Sequence, residues 1–223
     1  MTIETTQEFY GRWAHLYDLI ARRTPGVSRL RRRVAAACRL DPGDTVVEMG
    51  CGTGANLPYL REQVGPEGTV IGIDVTRPVL DRATATAADR YDNVHVVRGD
   101  ATRPPIPSTG IDAVLATFVV GMLDDPAGAV DDWCERVGPG GHVVLANAAR
   151  SEAWYAPPVN AVFRAIVVLS TPPTTQLRYE YPPHVRLDER IDAAHTRLRA
   201  NSSAVADETH LFGVVRLTGG ELE

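Results

Sequence analysis

Three carboxylates stand along the chain at places where the strands of a sheet are expected to end. Glu48 lies in VVEMGCGTG, Asp74 in GIDV and Asp100 in RGDA. The first stretch also carries glycines at every second position, namely Gly50, Gly52 and Gly54. Glycines let the backbone approach a ligand closely, and a helix that begins after such a loop offers free N–H groups. These residues predict a site for a nucleotide-like ligand.

The glycine spacing alone fits two ligands. Gly50, Gly52 and Ala55 satisfy the dinucleotide pattern G-x-G-x-x-[GA], but the loop also fits the shorter, carboxylate-led form used by S-adenosylmethionine (SAM) enzymes. Glu48 favours SAM, because a carboxylate would repel a pyrophosphate and attract the ammonium and sulfonium groups of SAM. The alternative role for Glu48 is to organise the loop through backbone N–H groups, and both roles can coexist.

The other two acids suit the remaining parts of an adenosine ligand. Asp74 is the last residue of a predicted strand and could accept from both ribose hydroxyls, with Val75 next to it in the site. Asp100 could accept from the adenine amino group while the backbone N–H of Ala101 meets a ring nitrogen. Each acid could instead be an ordinary turn or cap residue. Their order at successive strand ends favours a ligand site.

These residues need a parallel sheet to bring them together. Strand-like and helix-like segments alternate five times, which is typical of a doubly wound α/β sheet. The predicted strands are 45–49, 69–74, 94–97, 113–116 and 142–146, and the predicted helices between them are 55–63, 77–90 and 125–137. Two N-terminal helices precede them, one over residues 5–22 and one between Pro25 and the turn at 41–44.

The alternation stops after Ala149. We expect helices over 154–169 and 187–194, and then an antiparallel strand pair formed by 195–203 and 209–217. The fold class is therefore α/β, with a mostly parallel seven-stranded, Rossmann-like sheet. We expect a single domain over 1–223, with a helical cap at 1–40, a ligand-binding core at 41–149 and substrate-side elements at 150–223.

Composition excludes several chemistries. All 23 basic residues are Arg, so a Walker A Lys, a pyridoxal Schiff base and a Tyr-x-x-x-Lys reductase pair cannot form. Three separated cysteines without a C-x-x-C pair suggest neither a disulfide framework nor a metal site. With no secretory signal and no long apolar run, we expect a cytoplasmic protein.

Together, VVEMGCGTG, GIDV, RGDA and RVGPGGHVVLA resemble the class I SAM-dependent methyltransferases. Within that class they are similar to the ubiquinone/menaquinone-biosynthesis type, with phospholipid N-methyltransferases as near neighbours. The resemblance places Thr53, Asp74, Asp100, Ala101 and Thr117 at positions that contact the cofactor. It also likens W-A-x-x-Y-D at 13–18 to a signature whose helix closes over SAM, which makes Tyr10 and Tyr17 candidate lid residues. The alternative for both is plain helix packing.

The methyl acceptor is less defined. The resemblance would place a polar pair after the fourth strand, whereas here the segment Phe118–Met122 is apolar, so we expect a small, apolar acceptor such as a quinone or lipid precursor. His15, Tyr181 and His184 are candidate bases, or simply surface residues. The alternatives are a NAD-dependent reductase and a non-catalytic SAM-fold binding protein. The acidic body argues against a nucleic-acid partner.

Residues 1–40 are basic, with eight Arg against three acids, while the whole chain carries a net charge of −5. Arg29, Arg31, Arg32 and Arg33 could therefore touch an anionic membrane, each adding on the order of 1 kcal/mol near a charged surface. A solvated helix face is the simpler explanation. The oligomeric state does not follow from the sequence.

Overall fold

The computed structural model describes residues 26–148 and 183–223, together with the single positions 157 and 161. In the last segment the side chains are described from residue 187 onward. The predicted helix over 5–22, which carries Tyr10, His15 and Tyr17, lies outside the described residues. So do Tyr181, the side chain of His184 and nearly all of the predicted helix over 154–169.

Seven strands form one sheet in the order β3-β2-β1-β4-β5-β7-β6. The first five pair in parallel, and β7 pairs antiparallel with both β5 and β6. The strands are β1 Thr45–Met49, β2 Thr69–Asp74, β3 Val94–Arg98, β4 Ala113–Thr117, β5 His142–Ala148, β6 Ser202–His210 and β7 Val215–Leu222. The predicted sheet is therefore confirmed, and the carboxyl ends of β1 to β4 lie along one edge.

Five α-helices flank this sheet among the described residues: α1 Val27–Ala37, α2 Leu57–Val64, α3 Arg77–Ala83, α4 Pro126–Val137 and α5 Pro183–Ala200. Asp125 caps α4, since its side chain accepts a hydrogen bond from the N–H of Gly128. The segment predicted as one helix from 77 to 90 is α3 followed by a π-helical turn, Thr84–Ala88.

The sheet separates two apolar cores. Val46 packs with α1 and α2 on one face, while its neighbour Val47 packs with α4 and α5 on the other, because successive side chains of a strand point to opposite faces. Glu48 shares the orientation of Val46. It therefore points toward α1 and α2, and it is buried at the border of their apolar core.

The predicted boundaries of the last elements are wrong. Residues 195–200 belong to α5, and the strand that follows is Ser202–His210, about seven residues later than expected. Ile191, Ala194, His195 and Leu198 are buried at steps of three and four, which is the period of a helix. The predicted second strand, 209–217, contains the turn, and its strand runs on to Leu222.

Candidate functional site

The predicted site residues line the carboxyl edge of the sheet. Because the strand order is β3-β2-β1-β4, Asp100, Asp74, Glu48 and Thr117 stand at the ends of four neighbouring strands. Strands lie about 4.8 Å apart, so this row spans roughly 14 Å. An extended ligand could contact all four ends at once.

The glycine loop after β1 adopts backbone angles that suit glycine. Gly50 (φ +68°) lies against Val119, and a Cβ at Gly50 would stand 2.7 Å from Val119 Cγ2, which is too close for any side chain. Gly52 (φ +53°) has no neighbouring atom within 4 Å of the same position, so its surface is open. Gly50 therefore serves packing within the protein, whereas Gly52 leaves room for a ligand to approach the backbone.

Asp74 connects this loop to β2. Its Oδ2 accepts a hydrogen bond from the N–H of Gly52 at 3.0 Å, and its Oδ1 accepts from the N–H of Thr76 at 2.8 Å. A carboxylate offers about four lone pairs, so two remain for further donors. Val75, which follows, is 40% exposed.

Asp100 forms a tight turn after β3. Its Oδ1 accepts from both the N–H and the hydroxyl of Thr102, each at 2.8 Å. The carboxylate itself is exposed, and its Oδ2 has no hydrogen-bond partner among the described residues. Ala101 beside it is buried. Asp100 therefore does act as a turn residue, which was one of the two roles considered from the sequence. Its Oδ2 is still available to accept a hydrogen bond from a ligand.

Glu48 is completely buried, and its partners are side chains rather than backbone N–H groups. Its Oε1 accepts from Asn56 Nδ2 at 2.6 Å and from the Thr117 hydroxyl at 3.1 Å. Its Oε2 is buried and has no hydrogen-bond partner in the described part of the chain. Burial raises the pKa of the Glu48 carboxyl to about 7, against the lowering effect of these hydrogen bonds and of Arg31.

Arg31 of α1 extends this network. Its Nη1 donates to Asn56 Oδ1 at 2.8 Å, which fixes the amide so that its NH₂ faces Glu48 and Thr117. We call Arg31, Glu48, Asn56 and Thr117 the Glu48 cluster. Asn56 occupies the N-terminal position before α2 but makes no capping hydrogen bond there. The sequence analysis missed Asn56, although its place after the glycine loop was a usable signal.

The other residues singled out in the sequence lie at the following places. Thr53 lies in the glycine loop, Gly54 follows it, and Tyr17 is outside the described residues. Arg31 points to the Glu48 cluster and Arg33 pairs with Glu208, whereas Arg29 and Arg32 are exposed. Contact of this helix with an anionic membrane stays a prediction. Among the described helices, none has the length and apolarity needed to cross a bilayer.

A separate cleft of about 430 Å³ lies at the opposite, amino edge of the parallel strands. Asp131, Cys134, Arg197 and Leu222 are among its lining residues, and none of the predicted site residues is. The chemistry suggested by the sequence therefore belongs to the carboxyl edge.

The comparisons with known proteins identify the family of this chain. Residues 46–141 match the model of a methyltransferase domain. The chain is 30% identical over 218 residues to the demethylmenaquinone methyltransferase of Deinococcus radiodurans, covering 97% of this chain and 85% of that protein. The chain belongs to the class I SAM-dependent methyltransferases. Membership of this family favours SAM over NAD as the ligand and disfavours the reductase alternative.

The chain is also similar to a lipid methyltransferase in sequence and to a solved methyltransferase structure in fold. The chain is 32% identical over 149 residues to the phosphatidylethanolamine N-methyltransferase of Cereibacter sphaeroides, covering 66% of this chain and 70% of the relative. A SAM-dependent methyltransferase structure from Aquifex aeolicus shares the fold, with a TM-score of 0.58, 20% identity and coverage of 90% and 94%. The chain also spans about half the length of other curated relatives, such as 48% of the nocamycin O-methyltransferase of Saccharothrix syringae.

Proposed function

We propose that this methyltransferase transfers the methyl group of SAM to a small, apolar acceptor such as a quinone or lipid precursor. The observation that carries the proposal is the segment that leaves β4 beside the Glu48 cluster. Phe118 directly follows Thr117 in a left-handed conformation (φ +59°), and Met122 at the end of the segment is 45% exposed. Val119 and Val120 between them are buried and Phe118 is half-buried, so Met122 is the residue of this segment that is most exposed to an acceptor.

The relatives support an apolar acceptor. The demethylmenaquinone methyltransferase that matches nearly the whole chain is named for a quinone, and the phosphatidylethanolamine N-methyltransferase for a lipid. The apolar segment Phe118–Met122 after β4 suits such molecules, because burying apolar surface favours binding by about 25 cal/mol per Å².

For the cofactor we propose one role for each strand end. Glu48 attracts the cationic methionine part of SAM, with Asn56 and Thr117 orienting its carboxylate. Gly50, Gly52, Thr53 and Gly54 form the loop around the cofactor, Asp74 accepts from the ribose, and Val75, Asp100 and Ala101 hold the adenine. Tyr17 would cover the site from outside. We also propose that 1–40, 41–149 and 150–223 form one domain, since Val34 and Leu217 share a core with β1.

Methyl transfer is an in-line displacement in which the sulfonium loses its charge as the acceptor gains the methyl group. The protein mainly aligns the two reactants and excludes water from them. The described residues at the strand ends bind and orient the donor. No acid or base pair is required for the displacement itself. The proton that the acceptor's ring carbon, oxygen or nitrogen gives up passes to solvent or to a base, and His15, Tyr181 and His184 stay the candidates for that base.

The acceptor class is tested by incubating the enzyme with methyl-labelled SAM and three acceptors separately. These are an isoprenoid demethylnaphthoquinol, phosphatidylethanolamine vesicles and a water-soluble catechol. We expect label in the quinol or lipid at a rate roughly tenfold above the catechol, the gain from burying about 50 Å² of extra apolar surface. Transfer to the catechol alone would contradict the proposal.

A matched pair of variants localises the acceptor. Met122→Gln should slow transfer to the apolar acceptor while leaving the KM for SAM unchanged. Val205→Gln makes the same kind of change at a residue of similar exposure, 42%, on β6. That control should leave transfer unchanged. If both variants behave alike, the segment after β4 does not select the acceptor.

A further inference from the structure

The loop that follows β3 is held from behind by α4. Trp133 of α4 is fully buried, and its indole Nε1–H donates to the carbonyl oxygen of Ala101 at 2.8 Å. Three residues later, Arg136 Nη1 donates to the carbonyl oxygen of Ile106 at 3.2 Å. Residues at i and i+3 lie on one face of a helix, so one face of α4 holds the loop at two points.

The loop is also tightly built on its other side. The N–H of Gly99 donates to the Asp74 carbonyl at 3.1 Å, and a Cβ at Gly99 would stand 2.4 Å from Pro105 Cδ. The N–H of Arg103 donates to the Asp100 carbonyl at 3.0 Å. These contacts limit how far the loop can move, and the indole fixes the remaining freedom of the peptide at Ala101.

We infer that Trp133 is a positioning residue for adenine recognition, acting through the carbonyl of Ala101. The inference rests on the proposed function, in which Asp100 and the N–H of Ala101 hold the adenine. The indole donor sets the orientation of the peptide that follows Ala101, and so of the turn that carries the Asp100 carboxylate. A shift of a few tenths of an ångström there would misplace both groups that read the base.

A buried Trp commonly finds a hydrogen-bond partner for its N–H, so a purely structural role must be separated from a positioning role. The distinguishing readout is the choice between bases. S-adenosylhomocysteine and S-inosylhomocysteine differ in that the 6-amino group of adenine is replaced by an oxygen in the second. A loop that recognises the amino group should bind S-adenosylhomocysteine more tightly than S-inosylhomocysteine. A change in overall stability affects both dissociation constants alike and leaves their ratio unchanged.

The experiment measures the dissociation constants of these two compounds by calorimetry. Replacement of Trp133 by benzothienylalanine exchanges the N–H for a sulfur and keeps the ring shape, and Trp133→Phe provides a second variant. We expect the preference for the adenosine compound to fall at least about fivefold in both variants. A decrease of this size corresponds to the loss of roughly one hydrogen bond between the misplaced loop and the adenine amino group.

Arg136→Met is the matched control, because it releases the same loop at Ile106 instead of Ala101. It should lower the unfolding temperature and leave the base preference intact. The inference is overturned if the Trp133 variants keep the wild-type preference, or if Arg136→Met reduces the preference equally. Equal binding of both compounds by the wild type would overturn the adenine assignment and the inference with it, whereas failure to bind either would overturn the proposed function first.

Discussion

Two buried polar clusters in this enzyme differ in one respect. The Glu48 cluster lies at the carboxyl edge of the sheet, while a second one, the His195 cluster of Asn147, His195, Asp207 and Thr218, joins α5 to the last strands. His195 Nδ1 meets the Thr218 hydroxyl at 2.7 Å, and Nε2 meets the side-chain amide of Asn147 at 3.2 Å. Thr218 in turn donates to Asp207. Both ring nitrogens of His195 have a polar partner within hydrogen-bonding distance, whereas Glu48 keeps one oxygen that has none among the described residues.

This difference separates a structural network from a ligand site. A buried polar group is normally satisfied, and each exception calls for an explanation. The imidazole of His195 has its partners within the protein, so it completes the packing of the C-terminal hairpin. Glu48 Oε2 lacks a partner at the edge where a cationic cofactor would lie. A donor from SAM would complete the cluster.

The largest expected effect concerns the His195 cluster. His195→Ala should lower the free energy of unfolding by about 3 kcal/mol, because it leaves a cavity and unpaired groups on Asn147 and Thr218. Urea unfolding measures this loss. The affinity of the folded protein for SAM, measured well below the unfolding temperature, should stay within about twofold. A parallel loss of affinity would show that the two clusters are not independent.

The two clusters should also respond to pH in opposite directions. Burial lowers the pKa of His195 from 6.5 to about 4, so its contribution to stability is complete above 6.5 and is lost as pH falls toward 4. Burial raises the pKa of Glu48 from 4.5 to about 7, so its contribution is complete below 4.5 and is lost as pH rises through 7. Glu48→Gln should therefore stabilise the cofactor-free protein by up to about 3 kcal/mol near pH 8.

The same variant should change stability very little near pH 4.5, where Glu48 is protonated in both the folded and unfolded states. Thermal unfolding at several pH values gives the comparison, and His195→Gln should show the opposite trend. Equal stabilisation by Glu48→Gln at all pH values would contradict the assignment of a costly buried charge to this carboxylate.

Thr117 provides a smaller test of the Glu48 cluster. Thr117→Val keeps the shape and removes the hydroxyl that donates to Glu48, so the affinity for SAM should fall about fivefold, the worth of roughly 1 kcal/mol. Thr117→Ser retains the hydroxyl and should bind almost as the wild type does. Calorimetric titration with SAM distinguishes them. If both variants bind equally, the hydroxyl does not orient the carboxylate.

The smallest effect is expected from Arg31. Arg31→Met removes a positive charge that lowers the pKa of Glu48, so the pH at which SAM binding reaches half its strength should rise. We expect a two- to threefold loss of affinity near pH 7, because partly exposed charge interactions contribute about 0.5 kcal/mol. Arg33 lies on the same helix and pairs with Glu208 instead of the Glu48 cluster, so Arg33→Met is the control. An equal effect of both variants would rule out a specific role for Arg31.

The sequence predicted the parts of this site that depend on pattern. Strand ends follow from alternating β-branched runs and turn residues, and parallel strands must end at the same edge, so Glu48, Asp74 and Asp100 could be placed together. The partners of Glu48 could not be foreseen, because Asn56 and Arg31 approach through tertiary packing of α1 and α2. His195 was assigned to a strand, since the alternation of Thr196, Leu198 and their Arg neighbours concealed a helical burial pattern.

The most direct test of the account is the affinity for SAM as a function of pH, for the wild type and for Glu48→Gln. Between about pH 8 and pH 5.5 the wild type should lose roughly tenfold in affinity, as protonation of Glu48 removes the charge that attracts the cofactor. The variant should bind roughly tenfold more weakly than the wild type at the higher pH, with little dependence on pH. If Glu48→Gln binds SAM as tightly as the wild type and with the same pH profile, Glu48 does not recognise the cationic part of the cofactor.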